Sequence, residues 1–370
     1  MMEQMKVLQI GLGFNPGGME SFIMTYYREL QKCGVQFDFI AMFPHIAYEE
    51  EIQALGGKIY HTSDARKHPV AFYREMRNIL KAETYDVVHA NMLSAANIVP
   101  LIAAKRGAVR KIIAHSHNSS TPGIVRNILH RINKPLIPHF ATDLFACSAK
   151  AGKWMYSDKM MKTERFHVIP NALDMKKFLY DETGREQVRA ELGLKDRLVI
   201  GHVGRFEEQK NHEFLIEVFR EIAAAREDAV LLLIGEGELQ DGIRRKVKDY
   251  GLIDKVRFLG VRSDVPRLWK AMDIFILPSL FEGLPIVALE AQASGVCSIL
   301  ADTITREVQL TDNVSFLSLN DSPGKWCEEV LSHIGYVRNQ AVNEKILADF
   351  RKAGYDIETA AQALLSYYKQ

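Results

Sequence analysis

Short apolar runs of strand length alternate along this chain with longer stretches whose apolar residues recur at helical spacing. In the first half KVLQIG (6–11), FDFIAMF (37–43), DVVHA (86–90), KIIAHS (111–116), DLFACS (143–148) and FHVIP (166–170) read as strands. Between the first two, MESFIMTYYRELQKCG (19–34) sets Phe22, Ile23, Tyr26, Tyr27 and Leu30 on one helical face, and Gly34 marks its stop. After a charged interval at 176–196 the alternation resumes with RLVIGHVG (197–204), AVLLLIG (229–235), KVRFLG (255–260), DIFILP (273–278) and CSILA (297–301). Apolar strands alternating with helices predict parallel sheets covered by helices on both faces. Two such series, joined near 170–175, predict an α/β chain of two Rossmann-like, doubly wound domains facing across a cleft, where a ligand is expected. The domains are drawn at 1–172 and 173–352. The last segment, IETAAQALLSYYKQ (357–370), is amphipathic, and periodicity alone does not name its partner.

A length of 370 residues fits two domains. Lys plus Arg number 47 and Asp plus Glu 46, a formal net charge of +1 that argues against a nucleic-acid binder. Four cysteines (Cys33, Cys147, Cys297, Cys327) stand singly, with no C-x-x-C pair, so a disulfide framework or structural zinc is not expected and a reducing cytosol fits. The start, MMEQMKVLQIGLG, does not read as a signal peptide. Apolar runs such as VLLLIG (230–235) and NIVPLIAA (97–104) fall far short of the ~20 residues that span a bilayer. The expectation is a cytoplasmic protein, soluble or peripheral on the membrane.

Four stretches carry candidate chemistry. GLGFNPGGMES (11–21) joins a strand to a helix, but Pro16 stands where a dinucleotide fingerprint needs its third glycine. Gly17 and Gly18, at a helix N-terminus, offer bare backbone N–H groups to an anionic oxygen; a tight turn without a ligand is the plainer reading. In GHVGRFEEQKNHEFLIEVF (201–219), Arg205 and Lys210 leave the carboxyl end of a strand just before a helix, a placement that suits a diphosphate as well as two solvated cations. In LPSLFEGLPIVALEAQASG (277–295), Glu282 falls in a loop, Pro285 in the first helical turn and Gly295 just past the helix end. Glu290 lies within an apolar helical run, where a carboxylate is costly unless hydrogen-bonded. Two vicinal ribose hydroxyls would satisfy it, and Glu282 would accept from a second sugar. The alternative makes Glu282 a helix-start acid and Glu290 a partner of a buried Arg or the backbone. In AHSHNSS (114–120), His115 and His117 point the same way; with no carboxylate or Cys nearby, a hydrogen bond from one histidine to a ligand is favoured over a metal pair. The helix-like VRNILHRINKPLIPH (125–139) carries Arg126, His130, Arg131 and Lys134 among apolar residues, suiting an anionic membrane surface or a solvated face.

Together these stretches resemble the retaining family 4 glycosyltransferases of GT-B fold, particularly bacterial enzymes that assemble exopolysaccharide or capsule. The matching pieces also include FACS (145–148), VIPNALD (168–174), IGEGEL (234–239), DTITREV (302–308) and the run from Phe258 to Gly295, with Glu282 and Glu290 in the family's E-x7-E spacing. The resemblance covers nearly the whole chain. It implies a nucleotide-sugar donor, UDP-sugar above all, with its diphosphate on Arg205 and Lys210 and its ribose on Glu290. Glu282 and the backbone of Gly283, Leu284 and Pro285 would touch the transferred sugar. The Gly17 and Gly18 amides would approach the diphosphate, and His117, preferred over His115 because Asn118 follows it, would contact the donor sugar. The resemblance further implies no metal and no resident cofactor, and a last helix (353–370) that packs back onto the N-terminal domain. Ala172 and Cys297 depart from residues common in the family, at positions away from the implied chemistry.

The activity so implied is retaining transfer of a sugar to a lipid-linked or polysaccharide acceptor, with peripheral contact to the inner leaflet of the cytoplasmic membrane. His117, Glu282, Arg205 and Lys210 would be the catalytic set. A UDP-N-acetylglucosamine 2-epimerase on the same fold, a non-catalytic nucleotide-sugar-binding protein and a dinucleotide oxidoreductase are the rival readings. Which sugar and which acceptor are used cannot be read from the sequence.

Overall fold

The computed structural model describes residues 4–370. Its backbone separates into two compact units, one running through Leu173 and including Gly354–Gln370, the other Asp174–Ala353.

The first unit is built on seven strands: β1 (Met5–Ile10), β2 (Val35–Ala41), β3 (Ile59–His61), β4 (Val87–Met92), β5 (Lys111–Ser116), β6 (Asp143–Ala146) and β7 (Phe166–Val168). They pair in parallel in the order β3-β2-β1-β4-β5-β6-β7. Alternate residues serve opposite cores. Val7, Val87, Ile113 and Phe145 pack under Phe22, Tyr26 and Leu30 of the helix Gly18–Gln31 and under Ala361, Leu364 and Tyr368 of the helix Ile357–Lys369. Leu8, Val88, Ile112 and Ala114 face Phe72, Met76, Leu101 and Met155 on the other side. The final segment enters this unit through a bridge in which the Leu173 N–H donates to the Tyr355 carbonyl (2.8 Å) and the Ile357 N–H to the Leu173 carbonyl (3.0 Å).

The second unit repeats the design with six parallel strands: β8 (Leu198–Val203), β9 (Ala229–Ile234), β10 (Val256–Gly260), β11 (Ile274–Leu277), β12 (Cys297–Ala301) and β13 (Val314–Leu317), in the order β10-β9-β8-β11-β12-β13. Strands β3 and β13 do not stand out in the apolar pattern because they are three- and four-residue strands with mostly half-exposed side chains.

The strand order reverses direction between β1 and β4 in one sheet and between β8 and β11 in the other. At such a switch point the connections leave to opposite sides of the sheet and open a crevice at the carboxyl ends of the strands. The chain there is tightly packed. Gly11, just after β1, has φ +130°, and a Cβ on it would lie 2.5 Å from the Asn91 carbonyl oxygen. Gly235, just after β9, has φ +132°, and its Cβ would lie 2.1 Å from the Gly204 carbonyl oxygen. Only glycine fits either position. Among the described residues no helix is long and apolar enough to cross a membrane.

Candidate active site

The switch point of the second unit brings two chain segments together. After β8 the chain runs through Gly204 and Arg205 into a short turn, Glu208–Lys210, and Asn211 then takes a left-handed conformation to cap the helix His212–Ala225 with its side chain. After β11 it runs through Ser279 to Pro285, the N-cap of the helix Ile286–Ala293; Pro285 therefore stands one residue ahead of the first helical turn. A backbone hydrogen bond from the Leu280 N–H to the Gln209 carbonyl (2.8 Å) ties the segments. Across this tie Lys210 Nζ lies 2.6 Å from Glu282 Oε1, with the two side chains only 15% and 8% exposed. The Ser279 hydroxyl donates to the same oxygen (2.8 Å), and the Gln209 amide donates to Glu282 Oε2 (3.1 Å) and to the Phe281 carbonyl (2.9 Å). A carboxylate out of water needs this many donors. Gly204 lets the lysine stem come close, since a Cβ there would meet Lys210 Cδ and Cε at 3.1 Å.

Arg205 differs. Its side chain is 73% exposed and pairs with Glu207 (2.8 Å), an exposed ion pair of small energetic consequence. It is a cation free to turn toward a ligand. Gly283 is exposed and Leu284 half-buried.

Glu290 points from the helix Ile286–Ala293, and the donor that reaches it is the indole N–H of the fully buried Trp269 (3.2 Å to Oε2). Burial pushes the Glu290 carboxyl up to about 7, against which the indole N–H pulls down. The alternative partners considered from sequence, a buried Arg or the backbone, are not what holds it. A half-neutral carboxyl with one oxygen satisfied by protein is suited to accept further hydroxyl hydrogen bonds once ionised.

In the first unit Gly17 is the N-cap and Gly18 the first residue of the helix Gly18–Gln31, both exposed. Beneath the loop lies the buried carboxylate of Glu20, which accepts from the Gly13 N–H (3.0 Å). A Cβ on Gly17 would lie 2.8 Å from Glu20 Oε2 and one on Gly13 3.0 Å from Oε1, so these glycines leave room for the carboxylate as well as for a ligand. His117, half-buried just beyond β5, is bonded through Nε2 to Asn91 Oδ1 (2.9 Å) and lies 4.1 Å, ring centre to ring centre, from His115. Burial takes the His117 ring down to about 3, so it is neutral at physiological pH. His115 is fully buried and bonds to His89 through its Nδ1 (3.0 Å). Among the described residues no three His, Cys, Asp or Glu side chains cluster so as to hold a metal.

The comparisons with known proteins complete the picture. The family model described as Glycosyltransferase Family 4 matches residues 16–177, and that described as Glycosyl transferases group 1 matches 184–330. The Bacillus subtilis (strain 168) protein named "Putative glycosyltransferase EpsF" is 35% identical over 375 residues, covering 99% of this chain and 96% of that one. The chain belongs to glycosyltransferase family 4. A second relative, the UDP-Gal:alpha-D-GlcNAc-diphosphoundecaprenol alpha-1,3-galactosyltransferase of Escherichia coli, is 32% identical over 60% of this chain and 59% of its own. Among solved structures, Anabaena Alr3699/HepE in complex with UDP has a TM-score of 0.78 at 20% identity, covering 99% of this chain and 100% of that one. A glycosyltransferase from Rickettsia africae has a TM-score of 0.80 at 16% identity, covering 99% and 98%. The fold is GT-B, and the enzyme is a glycosyltransferase.

The structure thus brings Arg205, Lys210, Glu282, Gly283, Leu284, Pro285 and Glu290 to one end of the second unit's sheet, and Gly17, Gly18 and His117 to the corresponding end of the first. Sequence reasoning missed the residues that hold these groups: Ser279, Gln209 and Trp269 in one unit, Glu20 and Asn91 in the other.

Because Lys210 and Glu282 satisfy each other in a nearly dry space, Lys210→Met or Glu282→Leu alone should each cost about 3 kcal/mol of stability by stranding a charge. The double variant should cost less than the sum, with a coupling of about 1–3 kcal/mol in denaturant unfolding. Additive losses would show that the pair does not hold the two loops.

Proposed function

We propose that this enzyme transfers a sugar from a UDP-sugar donor to a lipid-linked or polysaccharide acceptor, with retention of anomeric configuration, in exopolysaccharide synthesis. The observation that carries the donor reading is the grouping of Lys210, Glu282 and Glu290, with Arg205 beside them, at the switch point of the second unit. Support for UDP comes from relatives: the E. coli enzyme is named for UDP-Gal and a diphosphoundecaprenol acceptor, and Anabaena Alr3699/HepE is described with UDP and with UDP-glucose. The exopolysaccharide role rests on the sequence resemblance alone.

In this reading Arg205 forks onto the diphosphate, and Lys210 adds a second cation without leaving Glu282, since an ammonium carries three N–H donors. Glu290, ionised, accepts from the two ribose hydroxyls. Glu282 and the backbone of Gly283 to Pro285 meet the transferred sugar, and the sequence resemblance assigns further donor contacts to His117 and to the Gly17 and Gly18 amides. The bond from the anomeric carbon to the diphosphate oxygen breaks as positive charge grows on the sugar and negative charge on UDP. The acceptor hydroxyl oxygen attacks from the same face, and its proton passes to the leaving phosphate oxygen. Arg205 and Lys210 stabilise the growing negative charge, help worth a few kcal/mol per donor. Two side-chain cations would supply the charge that a metal ion brings elsewhere, and on that ground we assign the reaction no metal and no resident cofactor.

The helix Ile124–Asn133 supplies a reading of where the enzyme works. Ile124, Val125, Ile128, Leu129 and Ile132 are all exposed on it, as is Leu136 just after, with Arg126 and Arg131 exposed alongside. The other basic residues of the segment do not join this face. His130 is buried, bonded to the Ala95 N–H (3.0 Å) and the Trp154 carbonyl (3.2 Å) and stacked on Trp154, and Lys134 donates to the Trp154 carbonyl (2.6 Å). They pin the helix with its apolar side outward, and we assign that side to the anionic inner leaflet of the cytoplasmic membrane.

UDP-glucose, whose diphosphate does not titrate near neutrality, should raise the unfolding temperature of the wild type but not of Arg205→Ala or Lys210→Ala. Its affinity should rise about tenfold from pH 6 to pH 8, because only ionised Glu290 accepts both hydroxyls and its carboxyl lies near 7. Glu290→Gln should abolish that dependence. A shift with GDP-sugars alone, or a pH-independent wild type, would contradict the donor assignment; conversion of UDP-N-acetylglucosamine without acceptor would instead identify the epimerase. The enzyme should co-sediment with phosphatidylglycerol vesicles and much less with phosphatidylcholine ones, and Ile128→Ser/Ile132→Ser should release it; binding unaffected by that change would remove the helix from the membrane.

A further inference from the structure

Four polar side chains occupy inward positions on one face of the first sheet: Gln9 of β1, His89 and Asn91 of β4, and His115 of β5, exposed by 2%, 1%, 6% and 0%. Lying among Phe22, Phe145 and Tyr368, each of the four is hydrogen-bonded through at least one atom, His115 Nε2 alone of their ring nitrogens having no partner, and the bonds around Asn91 have a readable direction. The Asn91 amide nitrogen faces Gln9 Oε1 (2.9 Å) and the carbonyl oxygen of Ile10 (3.2 Å). A backbone carbonyl can only accept, so the amide cannot be turned the other way. The remaining Asn91 atom, Oδ1, is therefore the one 2.9 Å from His117 Nε2, and it too can only accept. The ring nitrogen facing it must carry a hydrogen. Gln9 is oriented in turn, with its side-chain oxygen toward the Asn91 amide nitrogen. On the same face the Tyr368 hydroxyl of the last helix pairs with His89 Nδ1 (2.7 Å), and His89 Nε2 pairs with His115 Nδ1 (3.0 Å).

We infer that Asn91, held by Gln9 and the Ile10 carbonyl, is a positioning residue that fixes His117 as the neutral Nε2–H tautomer, leaving the Nδ1 lone pair as the ring atom it offers to a ligand. His117 then accepts a hydrogen bond, most simply from a hydroxyl of the bound sugar, and does not donate one as the sequence alone suggested. Burial that keeps the ring neutral agrees with this role, since an imidazolium would have no lone pair to offer. The functional consequence rests on the transferase reading; the tautomer does not.

The test is a long-range proton–nitrogen correlation spectrum of the full-length, ligand-free enzyme labelled with ¹⁵N-histidine, with His117 assigned by its loss in His117→Gln. A protonated Nε2 and an unprotonated Nδ1 are expected; Nδ1–H, or an even mixture of the two, would overturn the inference. Asn91→Leu should let the Nδ1–H form appear, whereas Asn91→Asp, which still accepts at that position, should keep Nε2–H; a tautomer unmoved by Asn91→Leu would also overturn it. With a nucleotide sugar that the wild type turns over, Asn91→Leu should lower kcat/KM about tenfold. In a His117→Ala background the same change should cost about twofold or less; equal losses would show that Asn91 does not act through His117. The spectrum needs no substrate, so its failure is distinct from failure of the donor assignment.

Discussion

A lysine ammonium and a glutamate carboxylate, 2.6 Å apart and almost without water, hold together the two loops that leave β8 and β11. Neither charge is tolerable there alone. Their mutual satisfaction, with Ser279 and Gln209 completing the carboxylate's shell, sets the positions of Arg205 on one side and of the loop from Gly283 to Pro285 on the other. The site is in this sense assembled before any ligand arrives, which spares the reaction the cost of ordering it.

The two units share a design and differ in how they spend polar groups. Each places its candidate loops where the strand order reverses, and each needs a glycine with positive φ at or beside that point, Gly11 just after β1 in one and Gly235, packed against Gly204, just after β9 in the other. The second unit concentrates charge. The first carries neutral hydrogen-bonded groups, Gln9, Asn91 and His117 in one run and His115, His89 and Tyr368 of the C-terminal helix in another.

Most of the sheets were legible from sequence because the buried parallel strands are nearly continuous apolar runs, as at Ala229–Ile234. Strands β3 and β13 were not, being too short to show a period. The loop residues were legible as well, since Gly17, Gly18, Arg205, Lys210 and the Glu282–Glu290 spacing lie in contiguous stretches with a local signature. Their supports were illegible for a topological reason: Trp269 is 21 residues from Glu290, and Asn91 is 82 from Gln9. One signal did exist. Gln9, His89, Asn91 and His115 interrupt apolar strands at alternate positions, which places polar groups on a buried face. His130 taught the reverse lesson, for a basic residue in an amphipathic segment proved to be the helix's buried anchor.

The account is tested most directly by a crystal structure of the enzyme with UDP bound. It predicts the diphosphate within hydrogen-bond distance of Arg205 and Lys210, the Lys210–Glu282 pair intact, and both ribose hydroxyls on Glu290. A nucleotide lodged away from these three side chains would contradict it.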